Sequence, residues 1–195
     1  MTTFDPYDDE GNLRRAQQEV MAELAQAAVE RVHRRRPPVF AAPGTLHPDV
    51  VAWCEQVRTG RAPHLVLFGG TGSGKTWSLW KAAETLAAAG WRKRFDIVDV
   101  YEIKDATDLP VDDALVRRWK HADVLAIDDL GAQGLNGWSL DRLHPIVDHR
   151  WKYGLPIVIT TNVADVRGMV GERIASRLAG ATLVPFADSD HRRTA

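Results

Sequence analysis

At 195 residues, with 45% apolar and 26% charged side chains, the chain is long enough for one well-formed core and has ordinary globular composition. A formal net charge of −1 rules out a global basic field, so any nucleic-acid binding has to come from a local patch. The single cysteine, Cys54, excludes an internal disulfide and any multi-cysteine metal site, and the scattered histidines have no metal-ligand spacing.

The acidic start MTTFDPYDDEG lacks the apolar stretch of a signal peptide. No apolar run approaches the ~20 residues that span a bilayer, so the expectation is a soluble, cytoplasmic protein without membrane contact. Next, Leu13, Gln17, Val20, Met21, Leu24, Ala28 and Val32 fall three and four apart, which predicts an amphipathic helix from about Asn12 to Arg35. It runs into Arg34-Arg35-Arg36 and stops at Pro37-Pro38, which a helix crosses with difficulty. Residues 39–46 read as a linker, and a short helix from Pro48 to Arg58 offers Val51, Trp53, Cys54 and Val57 for burial. Residues 1–60 are thus expected to form an N-terminal helical segment and linker, and 61–195 a second unit.

In that unit apolar runs alternate with helical periods. The predicted strands are His64–Phe68, Arg94–Val100, Val124–Asp128, Ile157–Thr161 and Thr182–Phe186. Between them helices are predicted at Lys75–Ala89, Asp112–His121 and Ser139–Lys152, with short ones at Val163–Met169 and Glu172–Leu178. Continuous apolar strands separated by helices indicate an α/β fold with a five-stranded parallel sheet covered on both faces.

Between the first strand and its helix stands Gly69-Gly70-Thr71-Gly72-Ser73-Gly74-Lys75-Thr76, which matches the phosphate-loop pattern G-x-x-x-x-G-K-[ST] in the context that supports it. Glycines let the chain turn tightly with its N–H groups inward, and the helix N-terminus adds partial positive charge. Lys75 is expected to reach the β- and γ-phosphates of ATP, and the Thr76 hydroxyl to ligate Mg²⁺. Trp77, next in line, is placed to flank the nucleotide.

The strand Val124–Asp128 ends in two carboxylates, Asp128 and Asp129. Adjacent side chains at a strand end point apart, so Asp128 can serve Mg²⁺ while Asp129 orients or deprotonates the attacking water. Asn162 follows the strand Ile157–Thr161 at its carboxyl end, where an amide can hold that water. Trp119, Trp138 and Trp151 are expected to pack between helices and sheet.

Over most of residues 61–195 the chain resembles AAA+ ATPases of the DnaC/DnaI helicase-loader type and the related IstB-type transposition helpers. The motifs that carry the resemblance are GGTGSGKT (69–76), VLAIDDLGAQ (124–133), IVDHRWKYGLP (146–156), ITTN (159–162), GERIASRL (171–178) and FADSDHRR (186–193). It implies a P-loop three-layer sandwich with no C-terminal lid domain. It also implies a Walker B role for Asp128 and Asp129, a sensor role for Asn162, and an arginine finger at Arg177 that acts on ATP in a neighbouring subunit, with Arg173 assisting.

The resemblance further implies slow, assembly-dependent ATP hydrolysis, self-association through the ATP sites, and two partners: a hexameric DnaB-type replicative helicase and single-stranded DNA. The N-terminal helix is a candidate for the helicase contact, or it packs on its own domain. Arg31, Arg34, Arg35 and Arg36 could hold a phosphate backbone or form a solvated charge run. Trp91-Arg92-Lys93-Arg94 adds an aromatic for base stacking, or a core residue at a strand entrance. The alternatives are an IstB-like helper that binds duplex DNA and a small P-loop kinase.

Overall fold

In a parallel sheet covered on both faces, successive side chains enter opposite cores, so a five-residue apolar run can bury every position. The computed structural model describes residues 9–131 and 137–187. Its strands are β1 (Leu65–Gly69), β2 (Phe95–Asp99), β3 (Val124–Asp128), β4 (Ile157–Thr161) and β5 (Thr182–Phe186). Its helices are α1 (Asp9–Arg35), α2 (Pro48–Arg58), α3 (Lys75–Ala88), α4 (Val100–Thr107), α5 (Asp113–His121), α6 (Gly137–Lys152) and α7 (Val166–Arg177).

The strands form one parallel sheet in the order β2-β3-β4-β1-β5. Leu65, Leu67, Val124, Ala126, Val158 and Val184 enter a core with α2 and α3. Val66, Leu125, Ile127, Ile157 and Ile159 enter the opposite core, which α4, α6 and α7 cover. The parallel direction and this strand order place the C-terminal ends of β3, β4 and β1 side by side.

One region differs from the sequence expectation. The second strand ends at Asp99, one residue short of the predicted Val100, because its carboxylate accepts the Glu102 N–H at 2.7 Å and caps α4, a helix in a stretch where the sequence reading assigns no element. The two short helices expected after β4 are both present along α7: the first starts at an Asp165 cap, and the second follows a non-helical break at Gly171, where φ is 73° and ψ 165°.

Helix α1 lies on α3. Ala28 is buried and Val32 packs against the α2–α3 core. Two of its last residues and the residue beyond are tied down: His33 and Arg36 meet Glu84 at 3.2 and 2.8 Å, and Arg35 lies 3.5 Å from Asp96. Asp96 is itself buried and bidentate with Arg118. Two members of the arginine cluster therefore clamp the helix to its own domain. The first half of α1 is different, with Leu13, Val20, Met21 and Leu24 all exposed. Trp91 packs against the core at the entry to β2.

Arg150 on α6 has no exposed surface. Its Nη1 donates to the carbonyl oxygens of Trp119 and Ala122 at 2.6 and 2.7 Å, and its Nη2 to that of Pro156 at 2.8 Å. The cation thus closes the C-terminus of α5, the negative end of its dipole, and joins it to the start of β4. Burial pushes its pKa down to about 10, so it stays charged at neutral pH. Replacing Arg150 by Ala strands these carbonyls and is expected to cost about 3 kcal/mol or more. In thermal unfolding the melting temperature should fall by roughly 10 °C; an unchanged melting temperature would contradict this role.

Candidate active site

Gly69 closes β1 with a φ of 146°, and a Cβ there would lie 2.2 Å from the Phe186 carbonyl oxygen of β5. Only glycine allows this approach. Gly72 and Gly74 take left-handed φ of 80° and 93°, which carries the loop back onto the start of α3. The turn aims Lys75 into the loop it has just left. Its Nζ donates to the carbonyl oxygens of Gly69 and Gly70 at 2.8 and 2.7 Å and to Asn162 Oδ1 at 2.9 Å, with Ser73 Oγ at 3.3 Å. The ammonium therefore joins the end of β1 to the end of β4, and Lys75 and Asn162, 87 positions apart, meet directly.

At the end of β3, one oxygen of Asp128 accepts the Thr76 hydroxyl at 3.0 Å and also the hydroxyl of Thr160. Thr160 Oγ1 in turn accepts the N–H of Asp129 at 2.8 Å. One buried hydroxyl thus spaces the two adjacent acids. Asp129 sits in the left-handed region at φ 56°, unusual for a non-glycine, and its side chain is exposed at the strand end while Leu130 returns to the core. Thr160 was not singled out from the sequence, because a β-branched residue in a strand is unremarkable.

Burial raises the Asp128 carboxyl above its ordinary value; hydrogen bonds from Thr160 and Thr76 oppose this, and the charge of Asp129 adds to it. A desolvated carboxylate beside a threonine hydroxyl and a second acid is a hard-oxygen arrangement that a divalent cation would relieve, and it fits Mg²⁺. Among the described residues no group of three or more His, Cys, Asp or Glu is clustered for a metal.

The raised value also sets a stability dependence. Protonated Asp128 is favoured by folding, so its contribution is full below the unfolded carboxylate pKa and lost as pH rises through the folded one. Asp128→Asn should therefore melt above the parent at neutral pH without Mg²⁺, and match it in acid. A lower melting temperature at pH 7 would contradict the desolvation argument.

Trp77 turns its indole toward the linker. Nε1 donates to the Ala42 carbonyl oxygen at 2.8 Å, and the ring packs under Gly44, where a Cβ would meet Cζ2 at 2.9 Å. The linker is thus laid along the first turn of α3, with His47 near Phe186 at 5.8 Å between ring centroids.

Arg177 is in the last turn of α7, which leaves the carboxyl end of β4 and returns to the start of β5. It is therefore at the amino-terminal end of the strands, opposite its own phosphate loop. Its Nε donates to Asp148 Oδ1 at 2.9 Å, and its guanidinium lies 4.4 Å from the Trp151 ring centroid. Trp119 is buried as expected, but Trp151 is half exposed and supports Arg177 instead of filling the core. Trp138 and the terminal stretch 188–195 lie outside the side chains described.

A parallel sheet in this order, with a P-loop after β1 and paired acids after β3, defines the AAA+ P-loop ATPase fold. No protein-family model matches the chain. It is 30% identical over 131 residues to the phage-like element PBSX protein XkdC of Bacillus subtilis (strain 168), covering 63% of this chain and 48% of that protein. It is 29% identical over 107 residues to the replicative helicase loader DnaI of the same strain, covering 53% and 34%. The chain thus spans half or less of the curated relatives it matches.

Among solved structures it is similar to DnaI, with a TM-score of 0.60 and 23% identity over 79% of this chain and 88% of that one. It is also similar to AMPPCP-bound DnaA from Aquifex aeolicus, with a TM-score of 0.59 and 17% identity over 70% and 44%. The chain has the AAA+ P-loop fold of these structures and is similar in sequence to the replicative helicase loader DnaI. Among the described residues no helix is long and apolar enough to cross a membrane.

Proposed function

We propose that this chain is an ATP-hydrolysing, helicase-loader-like replication protein whose active site is completed by a second copy. The observation that carries the reading is the meeting of Lys75 with Asn162 and of Thr76 with Asp128 at the carboxyl ends of three adjacent strands, while Arg177 lies at the opposite end.

In this reading the amides of residues 69–76 and the positive end of α3 bind the triphosphate of ATP. Lys75 exchanges its loop carbonyls for β- and γ-phosphate oxygens. Thr76 and Asp128 hold Mg²⁺, which when bound draws charge from the phosphates. Asp129 accepts a proton from the attacking water, and Asn162, released from Lys75, fixes that water in line. Arg177 reaches the γ-phosphate of ATP in a neighbouring copy, where it offsets the charge of the transition state. The exposed apolar half of α1 docks on the replicative helicase, a hexamer of the DnaB type, and single-stranded DNA is the second partner.

The test is ATP turnover with single-stranded DNA, duplex DNA or neither, with assembly followed by light scattering. Turnover that rises with both assembly and single strands supports the loader reading. Stimulation by duplex alone would favour a transposition helper of the IstB kind, and phosphate transfer to a small molecule by a monomer would favour a kinase.

A further inference from the structure

Arg177 and Arg173 are one turn apart on α7, yet their surroundings differ. The Arg173 side chain is exposed and has no side-chain partner among the described residues. Arg177 is held on three sides: Nε by Asp148 at 2.9 Å, Nη1 by Ser176 Oγ at 3.2 Å, and one face of the guanidinium by the Trp151 ring. Asp148 and Trp151 are three residues apart on α6 and so share one helix face, turned toward the last turn of α7. Nη2 has no partner among the described residues, and a third of the side chain remains open to solvent.

An ion pair this exposed contributes little to folding. What it changes is direction. A free arginine samples many rotamers, whereas one tied at Nε and stacked on a ring presents its outer Nη edge in one orientation. That edge is the one able to meet two oxygens of a phosphoryl group side by side.

We propose that Asp148 and Trp151 are positioning residues that pre-orient Arg177 toward the γ-phosphate of a nucleotide held by a second copy of this chain. The proposal rests on the reading of Arg177 as a trans-acting arginine. Neither residue touches the nucleotide; both act through the guanidinium, so their effect falls on the rate of the assembled protein and not on ATP affinity.

The experiment compares the full-length variants Asp148→Ala, Trp151→Ala, Asp148→Asn, Trp151→Phe and Arg177→Ala with the parent. Each is measured with ATP and Mg²⁺ at a protein concentration where the parent assembles. Asp148→Ala and Trp151→Ala should lower kcat by about 10–100-fold, with KM for ATP, melting temperature and self-association unchanged. Asp148→Asn keeps an oxygen acceptor for Nε and Trp151→Phe keeps a ring face, so both should recover most of the loss. Asp148→Ala added to Arg177→Ala should have no further effect.

If Arg177→Ala abolishes turnover while Asp148→Ala and Trp151→Ala leave it unchanged or raise it, the positioning role is overturned and the finger stands. A fall in kcat matched by an equal loss of self-association also overturns it, in favour of an interface contact. If Arg177→Ala itself has no effect, the trans-acting reading fails and takes the positioning role with it.

Discussion

Replacing Lys75 by Ala is expected to lower ATP turnover at least ~10³-fold and to remove the measurable heat of ATP–Mg²⁺ association. The expectation follows from where the ammonium sits. It is 7% exposed, and the oxygens that hold it belong to two main-chain carbonyls, a hydroxyl and an amide. Together they aim the ammonium into the loop. A triphosphate entering the loop meets the ammonium in a partly desolvated cradle, where charge interactions are strong. Alanine removes that charge and leaves Asn162 without this partner. Lys75→Arg should not rescue, because a branched guanidinium does not fit the space between the Gly69 and Gly70 carbonyls and Asn162. Isothermal calorimetry and steady-state turnover are the measurements. Binding within tenfold of the parent would refute the assignment.

Arg177→Ala is the second large effect. Assembly-dependent turnover should fall by about 10³–10⁵-fold while ATP binding stays intact, because a trans arginine acts on the transition state and not on the bound substrate. The distance between Arg177 and its own loop makes a sharper test possible. Lys75→Ala subunits keep the arginine, and Arg177→Ala subunits keep the loop. Mixing the two inactive variants should restore part of the turnover, since a fraction of contacts then pairs an intact loop with an intact arginine. Failure of the mixture to recover activity, with assembly still seen by light scattering, would place Arg177 outside the reaction.

The phosphate loop was legible from eight consecutive residues because its geometry is local: a tight turn needs glycine, and Lys75 follows the turn by covalent connection. Asp128 was legible for a related reason, being the first polar residue after an apolar run that had to be a buried strand. Asp99 escaped notice because one carboxylate after a strand can be a solvated end or a helix cap, and only the Glu102 amide at 2.7 Å decides between them. The arginines after position 30 looked alike in sequence, and their separation came from Glu84 and Asp96, which belong to other elements.

Periodicity was enough to establish five strands, their direction and the helices between them except α4, since whether a side chain is buried on one face or two leaves its mark on every second or every third and fourth residue. What periodicity cannot carry is pairing across long separations. That Lys75 meets Asn162, that Thr160 spaces Asp128 from Asp129, that Arg150 closes α5, and that Trp151 carries Arg177 instead of filling the core are all outcomes of strand order and helix packing. Those contacts depend on how the layers stack, and no short stretch of chain contains that information.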